Sequence, residues 1–406
     1  MYNDNVMPEL SNIKRDIEKS LSYLKSMYPV ITVTGPRQSG KTTLVKSFFK
    51  KKPYVNLEHP KSREFALNDP ELFLEQYPDG AIIDEVQRVP DLFSYIQVIV
   101  DEKKQKSMFI LTGSQQFGLI DAINQSLAGR TGILTLLPFS IDEIKNNYYK
   151  KQELSFDELI LKGTYPKVYS EAIKPQIMYR DYLRTYIERD LRQMSEIRNL
   201  EIFQRFLKIC AGRSGQILNY SNIASELGLS YKTIQEWISI LQASYIVFLL
   251  PYYGADNIKK QIVKSPKLYF YDTGLATYLL DIYEANHLLN HPLRGAIFEN
   301  LVIAETLKYR FNKGLEPNLY FYRDKSGKEI DLIYKVADKV VASEIKVSKT
   351  FHESFFNNLE YFQNLLGDEQ FLARSIIYSG DNMKRSKAEL INPYKLSKFF
   401  NKFDSE

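Results

Sequence analysis

A single cysteine, Cys210, occurs among the 406 residues of the chain, so no internal disulfide bond can form. A lone thiol fits a protein of a reducing compartment. The N-terminal segment lacks the apolar stretch of a signal peptide, and no apolar run is long enough to span a bilayer. We therefore expect a cytoplasmic protein without a membrane partner.

A large excess of charge of one sign is also missing from the sequence. The 54 lysines and arginines nearly balance the 49 acidic residues, and the net charge of +5 permits contact with nucleic acid without arguing for it. Hydrophobic residues make up 44% of the chain and charged residues 25%, which predicts a folded, soluble protein. The chain is too long for one ordinary core, so we expect more than one domain.

A phosphate-binding pattern stands out against this background. Residues Gly35 to Thr42 read as a glycine, four residues, and then Gly-Lys-Thr. The β-branched run Val30 to Val33 before it predicts a buried strand, and helical spacing follows it. A loop between a strand and a helix aims backbone N–H groups into one concavity, where the helix dipole adds positive potential. A glycine-rich turn that matches by chance is the alternative, which both flanks disfavour.

The residues of this loop have distinct expected roles. We expect Lys41 to reach the β- and γ-phosphates of a nucleotide, and the Thr42 hydroxyl to bind Mg²⁺. The residues predicted to bind the nucleotide here are Gly35, Pro36, Arg37, Gln38, Ser39, Gly40, Lys41, Thr42 and Thr43.

Two carboxylates, Asp84 and Glu85, end a second apolar run that begins at Gly80. This is the Walker B form, in which one carboxylate holds Mg²⁺ through its water shell and the next polarises the attacking water. We assign Asp84 to the metal and Glu85 to the general base. A strand that simply ends in solvated acids is the alternative, and it is disfavoured downstream of a phosphate-binding loop.

Two further candidates follow along the chain. The strand Met108 to Thr112 ends in polar residues, of which Ser114 and Gln115 are candidates to sense the γ-phosphate; a Ser that caps a helix is the alternative. Arg130 precedes a fifth strand and is a candidate arginine finger, with an ordinary surface arginine as the alternative.

Strands alternate with helical segments around these motifs, which predicts a three-layer α/β domain with a parallel sheet. Amphipathic spacing predicts a helix over residues 10–28, before the first strand. A segment rich in Leu and Phe predicts another helix over residues 62–76. The order of the strands does not follow from this pattern.

The motifs GPRQSGKTTL, IIDEVQRVP, LTGSQ, SLAGR and LPFS, in this order, resemble the AAA+-type ATPases of bacteria and archaea whose C-terminal half is the domain DUF4143. Later segments extend the resemblance over nearly the whole chain. The motif Gly163-Thr164-Tyr165-Pro166 departs from the usual Gly-Gly-Tyr-Pro, which leaves the geometry of that turn open. The resemblance implies that the protein binds ATP with Mg²⁺ and hydrolyses it.

The pattern changes in the middle of the chain. A long helix is predicted over residues 174–198, with charged side chains at i, i+4 steps from Arg180 to Arg192. Solvated ion pairing is the favoured interpretation of this ladder. The alternative is that Arg189 or Arg192 reaches a neighbouring nucleotide site.

Residues 201–273 then follow the order helix, short helix, tight turn, helix and two strands, which predicts a winged helix-turn-helix. The exposed positions of its third helix are predicted to be Tyr231, Lys232, Gln235 and Glu236. Contact with DNA in a groove is one interpretation. A protein-packing module is the other, because these positions form no basic cluster. Asp272, which follows, is interpreted as a helix N-cap.

The C-terminal part places acidic residues on successive elements. An apolar helix carries Glu299, the second of three following strands carries Asp331, and the third carries Glu344 and Lys346. Alternation along a strand puts Glu344 and Lys346 on the same side. A helix and a fourth strand complete an order that resembles the PD-(D/E)XK nuclease fold.

That resemblance implies a second metal site. Asp331 and Glu344 would hold Mg²⁺ with the carbonyl of Ile345, Lys346 would act on the attacking water, and Glu299 would complete the set. A charged surface hairpin is the alternative, because Glu-x-Lys alone is common. Such folds also serve as inactive binding modules, so cleavage is a separate question.

We divide the chain into a P-loop ATPase domain with its N-terminal helix (1–145), a helical connector (146–200), a winged helix-turn-helix (201–284) and a restriction-endonuclease-like α/β domain (285–406). The predicted function is ATP binding and hydrolysis coupled to a DNA-associated, Mg²⁺-dependent nuclease-like domain, with DNA contacted through the last two segments. The alternative is a nucleotide-dependent switch whose nuclease-like domain is inactive. A homo-oligomer is required if Arg130 acts on a neighbouring chain.

Overall fold

The computed structural model describes residues 13–114, 123, 125–149, 153–187, 199–254, 265–385 and 388–404. The candidate residues Gln115, Arg189 and Arg192 lie outside these ranges.

The N-terminal unit is built on a five-stranded sheet and the helices that cover it. Its strands are β1 Val30–Thr34, β2 Tyr54–Asn56, β3 Ile82–Asp84, β4 Phe109–Thr112 and β5 Thr131–Thr135. Its helices are α1 Glu18–Met27, α2 Lys41–Phe48, α3 Pro60–Asn68, α4 Pro70–Glu75 and α5 Leu92–Lys103, with a 3₁₀ turn at Val86–Arg88.

All five strands are parallel, in the order β2-β3-β4-β1-β5. Successive residues of a strand point to opposite faces of the sheet, and each face packs against its own hydrophobic core. Ile31 and Val33 pack with residues of α1 and α2, whereas Phe109 and Leu111 pack with residues of α4 and α5. The predicted three-layer α/β domain is therefore confirmed, and β4 lies between the strands that carry the two Walker motifs.

Two helix predictions were wrong in their bounds. The first helix begins at Glu18 rather than near residue 10, and residues 13–17 precede it as a turn and irregular chain. The helix predicted over residues 62–76 is two helices, because Pro70 cannot continue α3. Asp69 caps the second of them by accepting a hydrogen bond from the backbone N–H of Leu72 at 2.9 Å.

The middle of the chain is mainly helical, with one pair of antiparallel strands. Its helices are α6 Ile141–Tyr148, α7 Phe156–Lys162, α8 Pro166–Ser170, α9 Pro175–Tyr182, α10 Leu200–Gly212, α11 Tyr220–Leu227, α12 Tyr231–Ala243, α13 Thr273–Leu279 and α14 Ala285–Leu289. A π-helical turn, Leu183–Ile187, follows α9, and the two paired strands are β6 Val247–Leu250 and β7 Lys267–Phe270.

The predicted order of three helices and two strands is present as α10, α11, α12, β6 and β7. The four predicted side chains on α12, from Tyr231 to Glu236, are exposed. Asp272 caps α13 as predicted, accepting a hydrogen bond from the N–H of Leu275 at 3.0 Å. In the described part of residues 174–198, the chain is helical from Pro175 to Ile187, with α9 changing to a π-helical turn after Tyr182.

The C-terminal unit is a six-stranded mixed sheet in the order β12-β13-β11-β10-β9-β8. Its strands are β8 Leu319–Arg323, β9 Glu329–Val336, β10 Lys339–Lys346, β11 Phe371–Tyr378, β12 Met383–Lys384 and β13 Glu389–Ile391. Its helices are α15 Arg294–Asn312, α16 Asn357–Leu366 and α17 Leu396–Phe400, with 3₁₀ turns at Glu353–Phe356, Asp368–Gln370 and Pro393–Lys395.

Strands β8, β9 and β10 form an antiparallel meander, and β11 pairs parallel to β10 after the α16 crossover. The predicted sequence of helix, three strands, helix and strand is therefore present. One face of the sheet packs on α16, and the other packs on α15 and the middle of the chain.

A single hydrophobic core joins the segments of the second half of the chain. Phe139, Leu207, Ile238, Phe298 and Tyr334 all belong to it, although they come from three of the predicted segments. The predicted boundaries between those segments thus do not separate independent cores, and the divisions themselves stay a prediction.

Candidate nucleotide-binding site

The phosphate-binding loop joins β1 to α2 in a conformation that requires glycine at both ends. Gly35 has φ of +139°, and a Cβ there would lie 2.1 Å from the carbonyl oxygen of Leu136. Gly40 has φ of +94° and precedes the first residue of α2. The two glycines let the chain turn sharply into the helix N-terminus, where free backbone N–H groups favour an anion.

Lys41 is buried in this loop and lacks a carboxylate within ion-pair distance among the described residues. Its ammonium donates hydrogen bonds to the carbonyl oxygens of Gly35 at 2.9 Å and Pro36 at 2.8 Å. Burial lowers the pKa of Lys41 to about 8, although the nearby charges of Glu85 and Asp84 raise it in part. A buried cation held only by carbonyl dipoles gains free energy when an anion arrives.

Asp84 lies at the carboxyl end of β3, directly beside Thr42. The Thr42 hydroxyl donates to Asp84 Oδ2 at 2.9 Å, and the Tyr54 hydroxyl donates to the same oxygen at 2.7 Å. The Thr112 hydroxyl, at the end of β4, donates to the other oxygen. Burial, followed by the hydrogen bond to Asp84, raises the pKa of Tyr54. Neither Tyr54 nor Thr112 was predicted from the sequence.

The two oxygens predicted to serve Mg²⁺ are thus neighbours. A hydroxyl and a carboxylate are hard oxygen ligands of the kind that Mg²⁺ takes, and the ion usually completes its shell with water and phosphate. The positions of Thr42 and Asp84 therefore fit a magnesium ion bound together with a nucleotide.

Glu85 follows Asp84 in a left-handed backbone conformation, with φ of +56°. Such a conformation is uncommon outside glycine and clusters at functional sites. Its carboxylate accepts hydrogen bonds from the Ser114 hydroxyl at 2.9 Å and from the Gln87 side-chain amide. The Ser114 hydroxyl therefore holds the Glu85 carboxylate, and its role toward the γ-phosphate stays a prediction.

Buried polar atoms around the loop lack partners within the described part of the chain. The atoms concerned are Gln38 Oε1, Ser39 Oγ, Gln87 Oε1 and Arg88 Nε. A buried polar group without a hydrogen bond costs about 1–3 kcal/mol, so four of them in one place indicate that a polar ligand belongs there.

Arg130 lies away from this site. It precedes β5, and β5 runs parallel to β1 with Thr131 beside Val30, so Arg130 stands at the edge of the sheet opposite the loop. The length of β1, which separates this edge from the phosphate-binding loop, is roughly 16 Å. Its guanidinium forms a two-pronged ion pair with Asp101, at 2.6 and 2.7 Å. The structure does not bring Arg130 to the phosphate-binding loop of its own chain.

Arg15 supports the loop from behind, and the sequence analysis missed it. Its guanidinium donates to the carbonyl oxygens of Ser39 at 2.9 Å and Leu137 at 2.8 Å, and it pairs with Glu143 at 3.0 Å. Glu143 completes a capping box with Ser140, the last residue of the LPFS motif. No local pattern could reveal Arg15, because it lies in a charged stretch and its partners are distant in sequence.

Glu344 and Lys346 lie on the same side of β10, as the strand alternation predicted. The Lys346 ammonium lies 2.6 Å from Glu344 and 3.5 Å from Asp331. Asp331 also accepts a hydrogen bond from the N–H of Ile345 at 2.8 Å. Burial and then the charge of Asp331 raise the pKa of Glu344.

Glu299, on α15, meets a lysine that the sequence analysis did not single out. Lys267, on β7, is buried and lies 2.9 Å from Glu299 and 2.5 Å from Glu329. The Tyr269 hydroxyl also donates to Glu299. Burial opposes the charged form of Lys267, but Glu299, Asp331 and Glu329 together raise its pKa. The middle of the chain therefore supplies a cation to this carboxylate cluster.

The predicted residues Glu299, Asp331, Glu344 and Lys346 thus lie within one charged cluster, which also includes Lys267 and Glu329. Among the described residues, no three His, Cys, Asp or Glu side chains are arranged so as to hold a metal ion. Two lysines supply the positive charge in this cluster. The donor set therefore does not fit the predicted magnesium site in the conformation described here.

The turn at Gly163–Pro166 is well defined despite its departure from Gly-Gly-Tyr-Pro. Gly163 has φ of +63°. The Thr164 side chain connects two other residues through hydrogen bonds. The Thr164 hydroxyl donates to Asp272 at 2.9 Å and accepts from Lys308 at 3.0 Å. The threonine thus links α13 and α15.

Three family models match successive parts of the chain. An AAA domain matches residues 27–145, a domain of unknown function (DUF8612) matches residues 153–286, and another (DUF4143) matches residues 294–397. Within the described ranges, no helix has the length and apolar character needed to cross a membrane.

Relatives are similar along most of the chain. An uncharacterized protein of Mycobacterium tuberculosis is 29% identical over 374 residues, which is 91% of this chain and 80% of that protein. An uncharacterized protein of Methanocaldococcus jannaschii is 23% identical, covering 90% of this chain and 86% of its own length.

Among solved structures, a Walker-type ATPase of Pyrococcus abyssi is 15% identical, with a TM-score of 0.43 over 67% of this chain and 100% of that one. DnaA of Aquifex aeolicus is also 15% identical, with a TM-score of 0.30 over 59% and 93% of the two chains. The family matches agree with the parallel sheet and with the loop that joins β1 to α2. The chain therefore contains an AAA-type P-loop domain followed, in its C-terminal part, by a DUF4143 domain.

Proposed function

We propose that the protein binds ATP with Mg²⁺ at the carboxyl edge of the parallel sheet and hydrolyses it. The observation that carries this proposal is the state of Lys41, a buried cation whose hydrogen-bond partners among the described residues are the carbonyl oxygens of Gly35 and Pro36. The unpartnered polar atoms of Gln38, Ser39, Gln87 and Arg88 around it support the same conclusion. A phosphate chain would satisfy the lysine and this polar lining together.

The residues divide the hydrolysis step among them. Lys41 and the loop N–H groups hold the β- and γ-phosphates. Thr42 and Asp84 would hold Mg²⁺, which would supply positive charge to the phosphate oxygens. Glu85 accepts a proton from a water whose oxygen attacks the γ-phosphorus, and the bond to the bridging oxygen of ADP breaks. Ser114 and Gln87 orient the Glu85 carboxylate for this task.

We further propose that nucleotide binding is coupled to the rest of the chain. Tyr245 follows α12 of the middle unit, and its buried hydroxyl donates to the Thr34 hydroxyl at 3.0 Å. Thr34 is the residue directly before the phosphate-binding loop. Helix α15 of the C-terminal unit also contacts the N-terminal unit, because the Lys308 ammonium donates to the carbonyl oxygen of Phe139 at 3.0 Å. A shift of the loop would therefore change the contacts that the middle and C-terminal units make with the N-terminal unit.

For the C-terminal domain the observations favour the switch over the nuclease. Lys267, which belongs to the middle unit and is not part of the predicted nuclease site, pairs with Glu299 and Glu329. In the switch, ATP changes the contacts that the middle and C-terminal units make with a protein or DNA partner. The nuclease remains the second candidate, supported by the order of elements and by the meeting of Asp331, Glu344 and Lys346.

Nucleotide binding by purified protein tests the first part of the proposal. Wild type is expected to bind ATP in the presence of Mg²⁺ and to release phosphate, whereas Lys41→Ala loses both. Exposed Lys61→Ala, at the start of α3, serves as a matched control and is expected to behave as wild type. The proposal fails if wild type binds no ATP.

A cleavage assay decides between the two candidates for the C-terminal domain. DNA and RNA of several forms are incubated with Mg²⁺ or Mn²⁺, with and without ATP. The switch predicts no cleavage, and ATP-dependent binding or oligomerisation that survives in Glu344→Ala. Cleavage by wild type that is lost in both Asp331→Ala and Lys346→Ala would instead establish the nuclease.

A further inference from the structure

Two arginines converge on one carboxylate beside the phosphate-binding loop. Arg37 belongs to the loop, and Arg88 ends the 3₁₀ turn that follows Glu85. Their guanidinium groups lie 3.4 Å and 3.9 Å from the same oxygen of Glu58, just beyond the end of β2. Neither Glu58 nor Arg88 belongs to the set of site residues predicted from the sequence.

All three residues stand at the edge of the sheet where a nucleotide is expected. Since β1, β2 and β3 are parallel, their carboxyl ends share one edge, and Arg37, Glu58 and Arg88 each follow one of them. The charges of Arg37 and Glu58 also act on the pKa of Lys41, which places them within electrostatic reach of its ammonium.

The ion pairs to Glu58 are weaker than an arginine can form. Charge-assisted hydrogen bonds between a guanidinium and a carboxylate are about 2.7–2.9 Å long, and both separations exceed this range. The buried Nε atom of Arg88 has no hydrogen-bond partner in the described ranges. Glu58 itself keeps 44% of its side chain exposed, so water competes for its charge. Arg88 is therefore poised to exchange this carboxylate for a more highly charged anion.

We propose that Arg88 and Arg37 form a clamp on the terminal phosphate of ATP bound to the same chain, and that Glu58 holds both guanidinium groups in the nucleotide-free protein. This inference rests on the proposed ATP binding. It adds which arginines contact the terminal phosphate and that they belong to the same chain. The γ-phosphate presents three oxygens, so it serves two planar guanidinium groups better than a single carboxylate oxygen does. The clamp supplies in cis the charge for which Arg130 lies too far away.

Variants of Arg88 test the clamp through the difference between ATP and ADP. Arg88→Ala is expected to slow phosphate release about 10²–10³-fold, as for the loss of one donor to a transition-state oxyanion. It is also expected to weaken a non-hydrolysable ATP analogue about tenfold or more, while ADP affinity stays nearly unchanged because ADP lacks the γ-phosphate. Arg88→Lys should fall between wild type and Arg88→Ala, since a lysine keeps the charge and loses the fork.

Two further variants serve as controls. Glu58→Gln releases the guanidinium groups and is expected to bind the ATP analogue as tightly as wild type or more tightly. Arg205→Ala, an exposed arginine on α10, is expected to match wild type in every assay. If Arg88→Ala does not fold, Arg88→Lys and Glu58→Gln carry the test. Equal losses of ATP and ADP affinity in either Arg88 variant, or weaker ATP binding in Glu58→Gln, would overturn the clamp.

A mixing experiment tests whether the clamp acts within one chain. Lys41→Ala protein has an intact Arg88 but no functional nucleotide site. Arg88→Ala protein keeps the nucleotide site with Lys41 but lacks the arginine. A clamp in cis predicts that the mixture stays as inactive as its components. Recovery of phosphate release on mixing would show that Arg88 acts on a neighbouring chain and would refute the inference. Failure of ATP binding by wild type, in contrast, would refute the proposed function itself.

Discussion

The nucleotide edge of the parallel sheet and the C-terminal charged cluster contain the same kinds of residue in different states. Each holds a buried lysine and at least one buried carboxylate, which is Asp84 at the nucleotide edge and Asp331 or Glu344 in the cluster. At the nucleotide edge, the partners of Lys41 within the described part of the chain are two carbonyl oxygens, and burial lowers its pKa. In the cluster, Lys267 pairs with Glu299 and Glu329, which raise its pKa.

This difference separates a binding site from a structural joint. A buried cation that is not neutralised costs free energy until a ligand arrives, so the nucleotide edge is less stable alone than with an anion. The cluster has already neutralised its charges, and it joins the middle unit to the C-terminal sheet. Residue types alone would not distinguish the two places.

Removal of the general base should have the largest effect. Glu85→Gln keeps the hydrogen bonds from Ser114 and Gln87 but cannot accept a proton from water. We expect ATP hydrolysis to fall about 10²–10⁴-fold, with ATP still bound. Phosphate release and nucleotide binding, measured on the same preparation, check this. Exposed Glu64→Gln on α3 is the control, and hydrolysis by Glu85→Gln at the wild-type rate would show that another group is the base.

Removal of the buried lysine should lower the stability of the protein in the charged cluster, where Lys267 neutralises carboxylates, and not at the nucleotide edge. Lys267→Met leaves the partly buried Glu299 without its cation and Glu329 with Arg323 alone, so the free energy of unfolding is expected to fall by about 3–5 kcal/mol. The midpoint of urea unfolding measures this. Lys267→Met combined with Glu299→Gln should regain part of the loss, because one buried charge is gone. An unchanged midpoint in the single variant would mean that the cluster is not a structural joint.

Ligand addition should stabilise only the nucleotide edge. Mg²⁺ with ATP at about 100-fold above its dissociation constant is expected to add about 2.7 kcal/mol to the free energy of unfolding. Thermal unfolding in the presence of a non-hydrolysable analogue checks this, and Asp84→Asn should lose the part that depends on Mg²⁺. Mg²⁺ without nucleotide is the control. Stabilisation by the metal alone, lost in Glu344→Gln, would show that the cluster binds metal after all.

The link between the two halves of the chain should show the smallest effect. Tyr245→Phe removes the hydrogen bond to Thr34 and is expected to lower the free energy of unfolding by about 1 kcal/mol. It should also reduce the stabilisation of the later units by ATP, as followed by hydrogen exchange of β6 and β7. Exposed Tyr231→Phe is the matched control. If both variants behave alike, Tyr245 does not couple the units.

Local sequence determined the elements that rest on local physics. The glycines at positions 35 and 40, the run before them and the helical spacing after them predicted the loop between β1 and α2. The alternation along β10 predicted that Glu344 and Lys346 share a side. The cap at Asp272 followed from residue type and position alone. In each case the partners are near one another in the chain, so spacing carries the information.

Tertiary structure decided which charges meet, because that depends on strand order and on contacts between distant segments. The parallel order β2-β3-β4-β1-β5 brings Glu58, Arg88 and the loop to one edge and leaves Arg130 at the other. The packing of β7 against α15 brings Lys267 to Glu299. The sequence thus determined that a phosphate-binding loop and a set of buried acids exist. Only the fold decided that the first awaits an anion while the second already has its cations.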